Sequence, residues 1–284
     1  MTHKSASATP AEKLRRLIIT ADDFGAAVAV NQAVETAHRD GVLTAASLMV
    51  GAPATSDAVD RARRLPNLRV GLHLVLVDGR PTLPASAVPH LVSKDGRFRP
   101  DMAAAGATMF FHPAARRELA AEIEAQFKAF QATGLALDHV NAHKHFHLHP
   151  TIGGMTMQIG RRYGARAIRI PVEAGGAALQ DRLLNAWARL ALKRARRAGM
   201  LTPDQVFGLR WSGAMSASRL ESVIRALPPG LSEIYLHPAT DGDFEGAAPG
   251  YAYAEELAAL VSPVVSRALA ESGVIRGGFA DLVQ

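Results

Sequence analysis

Two adjacent carboxylates, Asp22 and Asp23, directly follow the apolar run Leu17–Thr20. Neighbouring carboxylates repel, so the pKa of one of them rises unless a cation lies close. A divalent metal is such a cation: one Asp ligates it and the other stays free as a base. An isolated Asp pair is more ordinarily a helix cap, so the chemical reading depends on what else reaches the same place. His73 interrupts the apolar run VGLHLVLV, where a lone histidine is most often a satisfied core residue. The stretch DHVNAHKHFHLHP (138–150) holds His139, His143, His145, His147 and His149, five of the chain's 11 histidines. From His143 they recur at every second residue, a spacing that predicts one shared face of an extended chain. A single metal takes one or two of them and leaves the others to orient ligands or substrate. His237 ends the run LSEIYLHP and is a candidate general acid.

Asp and two His around one metal leave positions open for water and substrate, which suits hydrolysis of an amide through a tetrahedral intermediate. Other chemistries lack their residues. The chain has no cysteine, so thiolate metal sites, disulfides and cysteine nucleophiles are excluded. No glycine-rich phosphate fingerprint follows a strand, and no G-x-S-x-G elbow is present.

The elements that must position these side chains read as short apolar strands alternating with amphipathic helices. Strands are predicted at 17–23, 44–52, 68–77, from 137, at 167–172, 205–213, 231–238 and 274–282. Helices are predicted at 30–41, 56–66, 113–134, 152–163, 181–199, 216–227 and 253–273, the last broken at Pro263. Seven or eight βα units without an internal repeat predict an α/β fold with a parallel barrel or a doubly wound sheet. Active groups then sit at the C-terminal ends of strands, where Asp22–Asp23, His73, His143 and His237 all fall. Residues 78–112, rich in Pro and Gly, read as an insertion after the third strand, over a site. Residues 1–16 read as a disordered tail with no signal-peptide pattern, and 17–284 as one domain.

TADDFG (20–25), GLHL (71–74), NAHKHFH (141–147) and YLHP (235–238) resemble, in order and spacing, the YdjC-like carbohydrate deacetylase family, which includes chitooligosaccharide deacetylases. The resemblance runs from about Leu17 to Leu282. It implies a distorted, TIM-like (β/α) barrel, one divalent metal ion (Mg or Zn), and removal of an acetyl group from an N-acetylated sugar. By analogy Asp23, His73 and His143 are the metal ligands, Asp22 is the general base, and His237 is the acid or transition-state partner. The chain departs from many relatives in carrying Asn141, Ala142 and Lys144 where they read D-S-H-H-H-V-H, so the groups that tune His143 differ. Segments 43–53, 71–81 and 137–150 look most like the hopanoid-biosynthesis-associated branch. That branch implies an N-acetylglucosaminyl hopanoid glycolipid as substrate.

The formal charge of +6 reads as solvated arginine on helix faces, with no nucleic acid as partner. No window is apolar enough to span a membrane. The expectation is a cytoplasmic protein with peripheral contact at the inner membrane surface. There Met109, Phe110 and Phe111 would form an apolar lid against a lipid aglycone, and the basic helix 181–199 would face anionic headgroups. Two other readings stay open: another metal-dependent barrel hydrolase such as a phosphodiesterase, and a catalytically silent sugar-lipid-binding protein.

Overall fold

The computed structural model describes residues 14–173 and 179–282. The tail expected at 1–16 therefore lies largely outside the described residues, and the chain enters its first strand at Arg15. Among the described residues seven strands form one sheet: β1 (Arg15–Phe24), β2 (Ala45–Leu48), β3 (Arg69–Leu74), β4 (Val140–Ala142), β5 (Gln205–Phe207), β6 (Gly230–Leu236) and β7 (Ile275–Arg276). The order is β4-β3-β2-β1-β6-β5, all pairings are parallel, and β7 pairs with the start of β1. β1 is central, and Leu17, Ile18, Ile19 and Ala21 have no exposed surface, as a strand covered on both faces requires.

Between β4 and β5 the predicted strand 167–172 forms no ladder. It crosses the gap by single bridges, Val140 to Ile168 and Ala167 to Leu201, and by the Val206 amide donating to the Val172 carbonyl at 2.9 Å. The sheet is thus a curled parallel half-barrel whose last arc is closed by an irregular segment, which is the distortion of the barrel.

Helices pack around the sheet: α1 (Val28–Arg39), α2 (Thr55–Arg63), α3 (Met102–Phe111), α4 (Pro113–Ala132), α5 (Pro150–Arg162), α6 (Leu179–Arg197), α7 (Ala217–Arg225), α8 (Tyr253–Leu260), α9 (Pro263–Ser272) and α10 (Phe279–Leu282). Pro263 takes the first position of α9, where its missing N–H costs nothing, and so separates α9 from α8. The expected terminal strand 274–282 is a correction: only Ile275 and Arg276 pair, and Gly277–Gly278 lead into α10. There Asp138 accepts from the Phe279 and Ala280 amides, and Phe279 seals the bottom of the barrel against Ile18, Ala45 and Leu231.

The insertion after β3 is more ordered than its composition suggests. It contains a 3-10 turn at Ala85–Ala87, an antiparallel bridge between Val92 and Phe98, and α3, capped by Asp101. Glu122, buried on α4, accepts from the Thr82 and Leu83 amides and pins the near end of the insertion to the barrel.

Candidate metal centre

In a regular strand, adjacent side chains point to opposite faces. Asp22 and Asp23 escape this because the β1–β2 register shifts between Ala21 and Phe24, and Asp23 adopts the left-handed region at φ 62°. Such a bulge re-aims a side chain, and both carboxylates reach one mouth. Gly25, at φ 96°, then turns the chain away, its amide bonded to Asn31 Oδ1.

His73 lies beside Asn141 in the β3–β4 register. Its Nδ1 is 2.7 Å from Asn141 Oδ1. An amide oxygen only accepts, so Nδ1 carries the proton and Nε2 presents a lone pair. That Nε2 is buried without a hydrogen-bond partner, yet lies 3.1 Å from Asp23 Oδ1. His143 Nδ1 is 3.2 Å from the same oxygen, and the three ligand atoms all lie within 4.8 Å of one another. An orphaned imidazole nitrogen, a second imidazole and a carboxylate converging on one point fit a small divalent ion, which these three residues would hold.

Asp22 faces the same cavity, with different partners. Arg169, with no exposed surface, donates to its Oδ2, and Asn141 Nδ2 donates to its Oδ1 at 2.9 Å. Burial alone would push the Asp22 carboxyl up, but the Arg169 guanidinium holds it well below the usual carboxylate range. Arg169 also donates to Glu233 Oε1 at 2.7 Å, an oxygen shared with the Thr20 hydroxyl.

The histidine-rich stretch does not stay extended, so its members do not share a face. β4 ends at Ala142, and His143–Leu148 form a 3-10 turn in which Lys144 and His145 both sit at φ 52°. The turn splays the side chains. His143 meets Asp23; His145 Nε2 is 3.0 Å from the Tyr235 hydroxyl; His147 Nε2 donates to the Arg169 carbonyl at 2.6 Å; His149 lies beside the Phe110 ring. Burial, with Arg169 nearby, lowers the proton affinity of His145, and His147 is lowered to about 4 mainly by burial. His139 is lower in the barrel, between Asp138 and Ser47.

His237, at the end of β6, faces the cavity between Tyr235 and Tyr251, at ring distances of 5.6 and 5.1 Å. Glu256 Oε2 accepts its backbone amide at 2.6 Å. The cavity, ≈ 480 Å³, is lined by Asp22, Asp23, His73, His143 and His237 together, so all five candidate residues converge. A second cavity of ≈ 270 Å³ shares Asp23 and His143 and extends toward Arg80, Arg97 and Phe244. The expected lid is a correction: Met109 is buried in the core, Phe110 is exposed beside His149, Phe111 is exposed against Phe110, and none of the three lines either cavity.

Residues 16–271 match the YdjC-like protein family. The chain belongs to that family. This YdjC-like protein is 31% identical to a carbohydrate deacetylase of Geobacillus stearothermophilus, over 92% of its own length and 95% of that protein. A human carbohydrate deacetylase is also 31% identical, over 91% of this chain and 88% of that one. Among solved structures, a protein of Enterococcus faecalis V583 named for cellobiose-phosphate cleavage superposes with a TM-score of 0.77 at 26% identity, covering 95% of this chain and all of that one.

Reading the sequence alone passes over Arg169 and Glu233 as site residues. Each is a charge inside an otherwise apolar strand pattern, AIRIPV and LSEIYL, which is the signal that singles out His73. Buried charges need partners, and these two find each other across the unladdered arc.

Proposed function

We propose that this YdjC-like protein is a metal-dependent N-deacetylase that hydrolyses the acetamide of an N-acetylated amino sugar. The observation that carries the reading is the meeting of a three-residue ligand set with a second, separately anchored carboxylate in one cavity. Pure binding of a sugar does not need the second carboxylate. Asp23, His73 and His143 hold the ion, Mg or Zn; two imidazole donors favour Zn over the oxygen-preferring Mg. When bound, the ion supplies Lewis acidity to the acetyl carbonyl and eases ionisation of water.

The chain's own groups do the rest. Asp22, held ionised and oriented by Arg169 and Asn141, accepts a proton from the attacking water. The water oxygen bonds to the acetyl carbon, the C–N bond breaks, and His237 gives a proton to the departing amine. Acetic acid and a free amino sugar leave, the acid ionising to acetate by giving its proton to the amine or solvent, and the proton on Asp22 returns to His237 through solvent. Tyr235 and His145 form a polar wall that orients the sugar.

The finer substrate is an N-acetylglucosaminyl hopanoid, supported by the likeness of segments 43–53, 71–81 and 137–150 to the hopanoid-associated branch. A lipid-borne substrate calls for peripheral contact with a membrane, and the localisation proposed with it is the cytoplasm, at the inner membrane surface. No helix among the described residues is long and apolar enough to cross a membrane.

The test is acetate release from N-acetylglucosamine conjugates by the purified protein. Chelation should abolish release, and Zn or Mg should restore it. No acetate from any N-acetylated sugar, in the presence of either metal, overturns the reading. Activity on soluble sugars with none on a glycolipid overturns only the hopanoid assignment.

A further inference from the structure

Of the ten large apolar side chains that the described residues leave exposed, six lie on two helices: Phe110 and Phe111 on α3, and Leu183, Leu184, Trp187 and Leu190 on α6. Leu183, Trp187 and Leu190 recur at helical spacing and form one stripe, 63%, 46% and 59% exposed. The Trp187 indole N–H donates to the Leu148 carbonyl at 2.9 Å, which fixes its polar edge to the protein.

The stripe borders a groove of ≈ 590 Å³ between α5 and α6. Its apolar lining includes Leu148, Met157 and Ile170, and its cations are Lys193, Arg194 and Arg197, with no carboxylate among the described lining residues. Gly154 belongs to this groove: a Cβ there would stand 2.7 Å from an Arg194 guanidinium nitrogen, so glycine lets Arg194 lie against α5. From Arg182 to Pro203 the sequence has six Lys or Arg and no Asp or Glu. Among the described residues, the salt bridge that this run makes is Arg196 with Asp204.

Exposed leucines and a tryptophan interleaved with unneutralised cations match a lipid surface carrying negative headgroups. A second copy of the chain would bring the same cations face to face. Nucleic acid would use the cations and leave the leucines in water. We propose that the α3–α6 face, with its groove, docks this protein on a bilayer containing anionic phospholipid. Trp187, Leu183, Leu190 and the two phenylalanines enter the acyl boundary, and Lys193, Arg194 and Arg197 take the phosphates.

The geometry links this face to the metal centre. Phe110 packs toward His149 and Trp187 holds Leu148, while His143 begins the same 3-10 turn. The docked surface and the catalytic mouth are thus joined by one short turn. The inference deepens the proposed function, because it supplies the membrane contact that a lipid-borne substrate needs; docking itself is measured without substrate.

The probe is phosphatidylcholine vesicles with and without phosphatidylglycerol, mixed with a Trp211→Phe variant in which Trp187 is the sole tryptophan. Co-sedimentation is expected only with phosphatidylglycerol, together with a blue shift of Trp187 emission and quenching by brominated acyl chains. Leu183→Ser combined with Leu190→Ser should cut partitioning by more than about tenfold, by removing apolar contact alone. Arg194→Glu combined with Arg197→Glu should abolish it. Hydrolysis of a soluble acetylated sugar should be unchanged in these variants, which also reports that they fold. Absence of vesicle binding overturns the inference. So does binding that the serine variant retains without a Trp187 shift, since that is adsorption of a basic protein. Preferential binding to nucleic acid or to an acidic protein, not competed by phosphatidylglycerol, overturns it as well. If vesicles bind as expected and no sugar is deacetylated, docking stands and the proposed function fails.

Discussion

The arc of the barrel from β4 through β3 and β2 to β1 is joined by ladders, whereas the arc from β4 to β5 hangs on single bridges through residues 167–172. The laddered arc carries the three residues proposed as metal ligands: Asp23 from β1, His73 from β3 and His143 one residue beyond β4. Ladder hydrogen bonds fix neighbouring backbones, so two strand tips and a turn can converge on one ion. On the other arc, charge takes over that task. Arg169 joins four segments, donating its backbone amide to Val140, accepting His147 at its carbonyl, and donating its guanidinium to Asp22 and Glu233. Where backbone pairing is sparse, a buried ion network sets the position of the chain.

The difference predicts that removing a residue from one arc and from the other damages different properties. The largest loss of turnover belongs to the laddered arc. His73→Ala and His143→Ala should lose bound metal and nearly all activity, with melting temperature close to that of the metal-free parent protein, because each removes a ligand and leaves the ladders intact. Elemental analysis, acetate release and thermal melts read this out. Full metal content in either variant would show that the ligand set is wrong.

On the irregular arc the effect is on stability. Arg169→Met strips two buried carboxylates of their cation and should cost roughly 3–5 kcal/mol. The pH dependence follows from Asp22. Its carboxyl, raised by burial but held well below the ordinary value by Arg169, contributes stability that is complete above its unfolded pKa of about 3.9 and is lost as pH falls through the depressed folded value. Without Arg169 burial dominates, and ionised Asp22 becomes a liability relieved by acid. The stability gap between the parent and Arg169→Met proteins, from denaturant melts, should be widest near neutrality and narrow below about pH 4. A gap independent of pH would mean that Arg169 acts through packing alone. Asp22→Asn separates the two roles of the network. It keeps the shape and should retain metal, but lower turnover by about 10²–10⁴-fold.

These arcs also differ in how much the sequence discloses. The strand tips were legible because Asp–Asp and His are rare after apolar runs and because parallel strands deliver their ends to one face. Five candidates met in one cavity for that reason. The fate of His145, His147 and His149 was not legible, because a two-residue repeat specifies a face only if the chain stays extended. Nothing in HKHFHL announces two successive left-handed residues. Helix α3 was hidden by the prolines and glycines around it, and Met109 to Phe111 look alike as apolar residues until the helix divides them between core and solvent. Arg169 sits in a segment that reads as a strand yet forms no ladder, and its partners are remote in sequence.

His237 directly follows β6, which is laddered to both β1 and β5, and should have a moderate effect. His237→Ala should keep metal and lower the rate on amides more than on an acetate ester with a good leaving group, whose departure needs little protonation. Equal losses on both substrates would instead assign His237 to stabilising the oxyanion.

The smallest effect should come from Asn141, which ties His73 of the candidate ligand set to Asp22, the partner of Arg169. Its amide oxygen accepts from His73, and its nitrogen donates to Asp22 Oδ1 and, at 2.9 Å, to Ser47 Oγ. That direction propagates: Ser47 gives its proton to His139 Nε2, and His139 Nδ1 donates to Asp138. Asn141→Ala removes the group that fixes the His73 tautomer, and loss of such an outer partner typically weakens metal binding by about 10–100-fold. Asn141→Asp distinguishes the two jobs of the amide. The new carboxylate still accepts from His73, so metal affinity should be kept or rise. It no longer donates to Asp22 and faces it as a like charge, so turnover should fall with metal bound. Competitive chelator titration beside saturating-metal kinetics gives both numbers. If Asn141→Asp loses metal and turnover in step, as Asn141→Ala does, Asn141 serves only the metal, and the coupling of the ligand set to the Asp22–Arg169 network through one side chain is wrong.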